Sequence, residues 1–170
     1  CTATATDLDS ETTTSTDDIT VENTEPTVIT PTAISPANGL MTGSTAFCSA
    51  TIYDADDNNL TPSYVWSISG TTVSNLFLYT ITASDSDVGD SLICTATATD
   101  SAGVSVSSSD TVTIENTAPT ITTASISPNS SVVVGSALTC SATATDADDG
   151  SLTPTYAWSN SGTSLGTGST

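Results

Sequence analysis

A long internal repeat governs what this chain can fold into. Cys1-Thr-Ala-Thr-Ala-Thr-Asp7 recurs as Cys94-Thr-Ala-Thr-Ala-Thr-Asp100. Ile19-Thr-Val-Glu-Asn-Thr-Glu-Pro-Thr27 recurs as Val112-Thr-Ile-Glu-Asn-Thr-Ala-Pro-Thr120, and Ile34-Ser-Pro36 as Ile126-Ser-Pro128. Cys48-Ser-Ala-Thr-Ile-Tyr-Asp-Ala-Asp-Asp57 recurs as Cys140-Ser-Ala-Thr-Ala-Thr-Asp-Ala-Asp-Asp149, and Tyr64-Val-Trp66 as Tyr156-Ala-Trp158. The offset is 92 or 93 at every match. A fixed offset of this kind marks an array of small, nearest-neighbour units.

The boundary between units is the Glu-Asn-Thr-x-Pro-Thr linker. Read from it, residues 26–118 form one complete repeat. Residues 1–25 are the C-terminal strands of an upstream repeat, and residues 119–170 are the N-terminal half of a downstream one. Only Tyr79–Ile93 has no second copy, so the chain reads as two repeats, permuted, less that segment. Half a unit cannot bury its apolar face. Three arrangements answer this. The chain is a window on a longer polypeptide, or residues 119–170 of one copy are completed by residues 1–25 of the next, or the two ends are frayed. The first two imply head-to-tail contact, which builds open filaments.

Composition removes several functions. There is no Lys, Arg or His against 19 Asp and Glu, a formal charge of −19. Such a chain cannot neutralise phosphates, so nucleic acid is excluded as a partner, and a basic membrane-surface patch is excluded with it. No apolar run reaches the length of a membrane span. Nearly four residues in ten are Thr or Ser. Thr is β-branched and suits strands, and a Thr/Ser-rich surface suits O-glycosylation. Asn59-Leu-Thr61 and Asn129-Ser-Ser131 fit the N-glycosylation pattern. Catalysis has little to draw on: no His or Lys is present, and nothing indicates a cleft that would tune a carboxylate pair of the glycosidase kind. An enzyme is not expected.

Period-two alternation dominates. Cys94, Ala96 and Ala98 alternate with Thr95, Thr97 and Thr99, and Cys48, Ala50 and Ile52 alternate with Ser49, Thr51 and Tyr53. Tyr64, Trp66 and Ile68 share a face, as do Val104 and Val106, then Val112 and Ile114. Alternation of this kind predicts half-buried strands, with Gly, Pro, Asn and Asp clusters as turns. Strands are expected near 27–35, 45–53, 63–69, 76–83, 91–99 and 104–114, with a short edge strand near 71–74. Trp66, Tyr64, Trp158 and Tyr156 fall at core positions. Phe77 and Tyr79 lie off the repeated core pattern.

Cys48 on the second strand, Trp66 on the third and Cys94 on the next-to-last resemble the immunoglobulin fold, whose intersheet disulfide packs on a buried Trp. The usual Tyr two positions before the second Cys is Leu92 here, so the tyrosine corner is absent. Asp85-Ser-Asp-Val-Gly-Asp-Ser-Leu-Ile-Cys94 and Ala98-Thr-Asp-Ser-Ala-Gly103 resemble tandem immunoglobulin-like, PKD-like and cadherin-like repeats of bacterial and archaeal surface proteins. The resemblance implies an all-β chain of tandem immunoglobulin-like β-sandwiches, permuted relative to the chain ends. It also implies an intrachain Cys48–Cys94 disulfide and an oxidising, extracellular or cell-surface setting. No Cys pair has C-x-x-C spacing and no His is available, so zinc is not expected. The partner of Cys140 should lie near the end of its own repeat; if copies join, Cys140 pairs with Cys1 of the next copy.

Cadherin-like repeats hold calcium at domain junctions with an Asp-x-Asp loop and an acidic, Asn-containing linker. The resemblance carries that role to Asp85, Asp87, Glu115, Asn116, Asp146 and Asp148 at one junction, and to Glu22, Asn23, Asp54 and Asp56 at the other. The bland alternative is that these residues shape turns and keep the chain soluble. The expected function is mechanical: a structural subunit or segment of an extracellular filament, joined to itself head to tail. The alternative is an adhesin stalk or binding module that recognises carbohydrate or another cell.

Overall fold

The computed structural model describes all 170 residues and contains strands and no helix. Consequently no helix is long and apolar enough to cross a membrane. The chain opens with a hairpin of β1 (Thr2–Thr6) and β2 (Thr12–Thr16). A central unit follows: β3 (Thr27–Ser35), β4 (Thr45–Asp54), β5 (Asn58–Leu60), β6 (Ser63–Ile68), β7 (Thr71–Ser74), β8 (Leu78–Thr80), β9 (Ser91–Thr99) and β10 (Ser105–Thr113). The C-terminal region holds β11 (Thr120–Ile121), β12 (Ser125–Ser127), β13 (Thr139–Ser141), β14 (Ala144–Asp146), β15 (Gly150–Leu152), β16 (Ala157–Asn160) and β17 (Thr163–Thr167).

Two four-stranded sheets build the central unit. One runs β10-β9-β6-β7 and the other β3-β4-β5, with β8 pairing the Thr45–Phe47 end of β4 and β5 the Ile52–Asp54 end. All pairings are antiparallel. Alternation along β4 and β9 turns Cys48 and Ile52, and Leu92, Cys94, Ala96 and Ala98, inward. The core cluster draws Ile34, Ala46 and Cys48 from one sheet and Trp66, Ile68, Leu92, Cys94 and Val112 from the other. The Cys48–Cys94 disulfide joins the two sheets. Trp66 stands opposite Cys94 in the β6–β9 register, and directly opposed side chains on one face are in contact range. The Trp66 indole N–H donates to the Leu76 carbonyl at 2.9 Å, so the largest core side chain buries no orphaned donor. At one edge, β3 is stitched to β10 by side chains: Thr32 exchanges bonds with Ser108, and the Ile34 N–H donates to Asp110 Oδ2 at 2.9 Å.

The structure departs from expectation in four places. Tyr79 belongs to the core, packing its ring 6.2 Å from that of Trp66. Phe77 instead pairs with Phe47 on the surface, with ring centroids 6.5 Å apart. The strand expected over 76–83 contracts to Leu78–Thr80, and β5 was not anticipated. Trp158 and Tyr156, which mirror core positions, are only half-buried.

That last difference accompanies an otherwise matching local fold. Pairings in the C-terminal region reproduce those of the central unit. Ile126 opposes Cys140 as Ile34 opposes Cys48, and Ala144 opposes Leu152 as Ile52 opposes Leu60. The bulge after Trp66 returns after Trp158, and the left-handed Ser69-Gly70 turn returns as Ser161-Gly162. The two chain positions of a type I′ turn need positive φ, which explains the glycine. The N-terminal hairpin likewise keeps the β9–β10 register: Thr2 opposes Thr16 as Thr95 opposes Ser109.

Candidate functional site

A turn, a linker and a loop meet where the central unit gives way to the C-terminal region. The loop follows β14. Asp146 Oδ1 accepts the N–H of Asp148 at 2.7 Å and of Asp149 at 3.2 Å. An Asp two residues ahead of a turn supplies this acceptor readily. The tightened loop presents Asp148 to the linker, where Oδ2 accepts the Thr117 N–H at 2.6 Å. Asn116 Nδ2 donates to the Thr117 carbonyl at 2.7 Å, holding the linker bend. Asp148 Oδ1 accepts the Thr42 hydroxyl, a bond that ties the central unit directly to the C-terminal region. Glu115 anchors the linker from the other side: its N–H donates to the Leu40 carbonyl at 2.7 Å and its Oε1 accepts the Gly39 N–H at 2.8 Å.

The same clamp operates on the linker entering the central unit. Asp54 Oδ1 accepts the N–H of Asp56 and Asp57 at 2.7 and 2.9 Å. Asp56 Oδ2 then accepts the Thr24 N–H at 2.7 Å. Asn23 Nδ2 donates to the Thr24 carbonyl and to Asp100 Oδ2, both at 2.9 Å. Asp57 Oδ2 accepts the Ser101 N–H at 2.6 Å. Glu22 is exposed beside this linker. Asp54 is 1% exposed, and its Oδ2 is buried without a partner. An unmet buried acceptor costs about 1–3 kcal/mol, which the two charge-assisted bonds at Oδ1 offset.

Hydroxyl and amide donors take the place of the cationic side chains the chain lacks. The Thr42 hydroxyl, then the Thr117 N–H, hold the Asp148 carboxyl below the usual carboxylate range. The Asn23 amide does the same for Asp100, with the Val104 N–H adding to it. Asp85 accepts from Thr82 at 2.8 Å and from the Tyr79 hydroxyl at 3.2 Å. Those bonds, Thr82 first, lower its pKa. Burial, followed by the Asp85 carboxylate, pushes the Tyr79 phenol up to about 12. Asp87 is exposed, and its N–H donates to Asp90 Oδ2 at 3.0 Å.

The residues assigned to calcium by resemblance are therefore only partly gathered. Glu115, Asn116, Asp146 and Asp148 share the joint; the bonds of Asp85 and Asp87 lie within the Tyr79–Asp90 segment. No three His, Cys, Asp or Glu side chains stand close enough together to hold a metal ion. Calcium needs six to eight oxygens around one point. Asp148 and Asp56 accept N–H groups of the linkers, and Asp146 and Asp54 accept N–H groups of their own loops.

Among the cysteines, Cys48 and Cys94 are bonded, while Cys1 is free and exposed and Cys140 is free and half-buried. Asn59 on β5 and Asn129 after β12 are both exposed. Sequence reasoning did not find Thr42, whose counterpart one repeat later is Val134. Asp100 also went unassigned, although its motif is copied at Asp7. Comparison with known protein families, curated proteins and solved structures finds no match.

Proposed function

We propose that this chain is a length of extracellular surface filament, built head to tail from disulfide-stapled immunoglobulin-like sandwich units and serving a mechanical role. The observation that carries this reading is the repetition of architecture across the linker. Strand registers, a bulge, a hairpin turn and a carboxylate clamp all recur in the C-terminal region. Units that meet their neighbours through one repeated joint propagate along an axis. The Cys48–Cys94 disulfide favours an oxidising compartment. The acidic surface keeps such filaments apart at low salt, and exposed Asn59 and Asn129 suit glycans in that setting. With no basic residue in the chain, trypsin-like proteases find no cleavage point.

One observation favours the adhesin reading: the exposed Phe47–Phe77 pair is an apolar patch without a partner. A glycan array in which Phe47→Ser abolishes binding would establish it. The filament reading is tested by immunogold labelling of intact source cells with antibody to residues 26–118. Label along surface fibres is expected, with an axial spacing of roughly 40 Å, the reach of a ten-residue strand plus a short linker. Label confined to the cytoplasm would refute it.

A further inference from the structure

We infer that Asn38-Gly39 is a site of self-modification. The Gly39 nitrogen displaces the Asn38 side-chain amide as ammonia, with the Glu115 carboxylate as general base. This chemistry does not depend on the chain being part of a filament.

The sequence supplies the reactive pair. An asparagine cyclises when the following backbone nitrogen reaches its side-chain carbonyl carbon, and a Cβ on the following residue obstructs that approach. Of the eight asparagines, Asn38 alone precedes glycine; the others precede Thr, Asn, Leu or Ser. Asn23 and Asn116 also have their amide groups committed to the next residue's carbonyl, at 2.9 and 2.7 Å. Asn38 is exposed in the bend after β3. A Cβ built on Gly39 would meet no atom within 4 Å, so the space for attack is open. One repeat later the pair is Ser130-Ser131, which has no carboxamide to react.

The fold supplies the base. Gly39 has a φ of +70°, which glycine adopts without a steric cost. In that conformation its N–H donates to Glu115 Oε1 at 2.8 Å. This is the reach a general base needs to the proton it removes, and the length of a charge-assisted bond. The Glu115 N–H in turn donates to the Leu40 carbonyl at 2.7 Å. Leu40 is 1% exposed, so the core fixes the segment against which Glu115 is held. Base and nucleophile stand 76 positions apart in sequence and meet only through the folded unit.

As Gly39 N bonds to Asn38 Cγ, its proton passes to Glu115 Oε1. The Cγ–Nδ2 bond then breaks, and the leaving nitrogen takes that proton and departs as ammonia. Water opens the resulting succinimide at either carbonyl, giving aspartate or isoaspartate at position 38. The sum is water in and ammonia out, with no change of oxidation state. Either product sets a new carboxylate near that of Glu115, and like charges repel. The hold of Glu115 on this turn weakens, and with it the anchoring of the linker. Because the reaction runs one way, the linker loosens with the age of the molecule.

The test incubates the 170-residue chain at neutral pH and follows Asn38 by mass spectrometry of a reduced Asp-N digest. Aspartate at position 38 creates a new cleavage point, whereas isoaspartate leaves the peptide uncut but heavier. Wild type is expected to convert at Asn38 ahead of every other asparagine. Glu115→Gln keeps an oxygen for the Gly39 N–H but removes the base, and should slow conversion roughly tenfold or more. A positioned general base is worth about 10²–10⁴-fold, and a carboxylate is a weak one for an amide. Glu115→Ala should be equally slow and regain rate in added formate, which a purely structural role would not allow. Urea unfolding of each variant confirms that the central unit is intact. Asn38 that persists while other asparagines convert overturns the proposal. So does a Glu115→Gln rate equal to or above wild type, or a Glu115→Ala rate that formate leaves unchanged.

Discussion

Breaking the intersheet disulfide should cost the central unit a large share of its stability. Cys48 and Cys94 close a loop of 46 residues. In the chain-entropy treatment this lowers the freedom of the unfolded chain by an amount worth about 4 kcal/mol at 25 °C. Whole domains are stable by only about 5–15 kcal/mol. This one has a thin core near the bridge, where Ala46, Ala96 and Ala98 are the buried neighbours in sequence. For a unit of this size, 4 kcal/mol corresponds to a midpoint roughly 15–30 °C lower. Two perturbations separate cross-linking from packing. Reduction keeps both sulfur atoms and removes only the constraint; Cys48→Ala with Cys94→Ala removes the sulfur volume as well. Urea unfolding followed by Trp66 fluorescence, in a Trp158→Phe background, reads the central unit alone. The reduced protein is expected to lose about 4 kcal/mol, and the double variant about 1 kcal/mol more for the two vacated groups. A loss below about 1 kcal/mol on reduction would refute the reasoning and place the stability in side-chain packing.

Other expectations follow from single contacts. Asp110→Ala leaves the Ile34 N–H without its charged acceptor and should destabilise by about 1.5–3 kcal/mol in the same urea assay. Thr42→Val removes the hydroxyl from Asp148 at nearly constant shape; small-angle scattering should show a broader range of particle lengths, with central-unit stability within about 0.5 kcal/mol of wild type. Tyr79 has a folded pKa of about 12 against an ordinary 10.0. Its contribution is therefore complete below pH 10 and lost between about 10 and 12, a loss that Tyr79→Phe should not show. Asp100 has the opposite sign: its folded pKa is lowered from 3.8, so its contribution is present above that value and lost as pH falls through the lower one. Asp100→Asn should flatten the acid limb of the stability curve. Calcium and chelator should give one melting midpoint by calorimetry, since no three carboxylates are gathered into a cage; a rise of several degrees in calcium would show that the loops regroup around the ion.

The strands were legible because alternation and repetition agreed. Cys94, Ala96 and Ala98 turn inward by their own periodicity, and residues 1–7 repeat the pattern. Where the repeat was silent, reading failed. Tyr79 lies in the segment without a second copy, so nothing placed it in the core beside Trp66. β5, at Asn58–Leu60, is too short and polar to alternate. The joint was half legible. Asp146-Ala-Asp148 and Glu115-Asn116 were recognised as junction residues, but resemblance assigned them to an ion. The partners of Asp148 are the Thr117 N–H and the Thr42 hydroxyl, which no spacing in the sequence announces. The bonds of Asp85 were not legible either: its partners are the Thr82 hydroxyl and that of Tyr79, the residue whose burial was itself missed.

The Thr42–Asp148 bond has a consequence for the shape of anything built from such units. A turn residue of the central unit latches the loop of the C-terminal region, so resistance to bending at this linker depends in part on one hydroxyl. One repeat later that position is Val134, fully exposed and without a hydroxyl. A unit bearing valine there offers nothing for a following carboxylate to hold. Along a string of otherwise matching sandwiches, flexure would concentrate at those articulations, and the contour would be set by the placement of a few threonines.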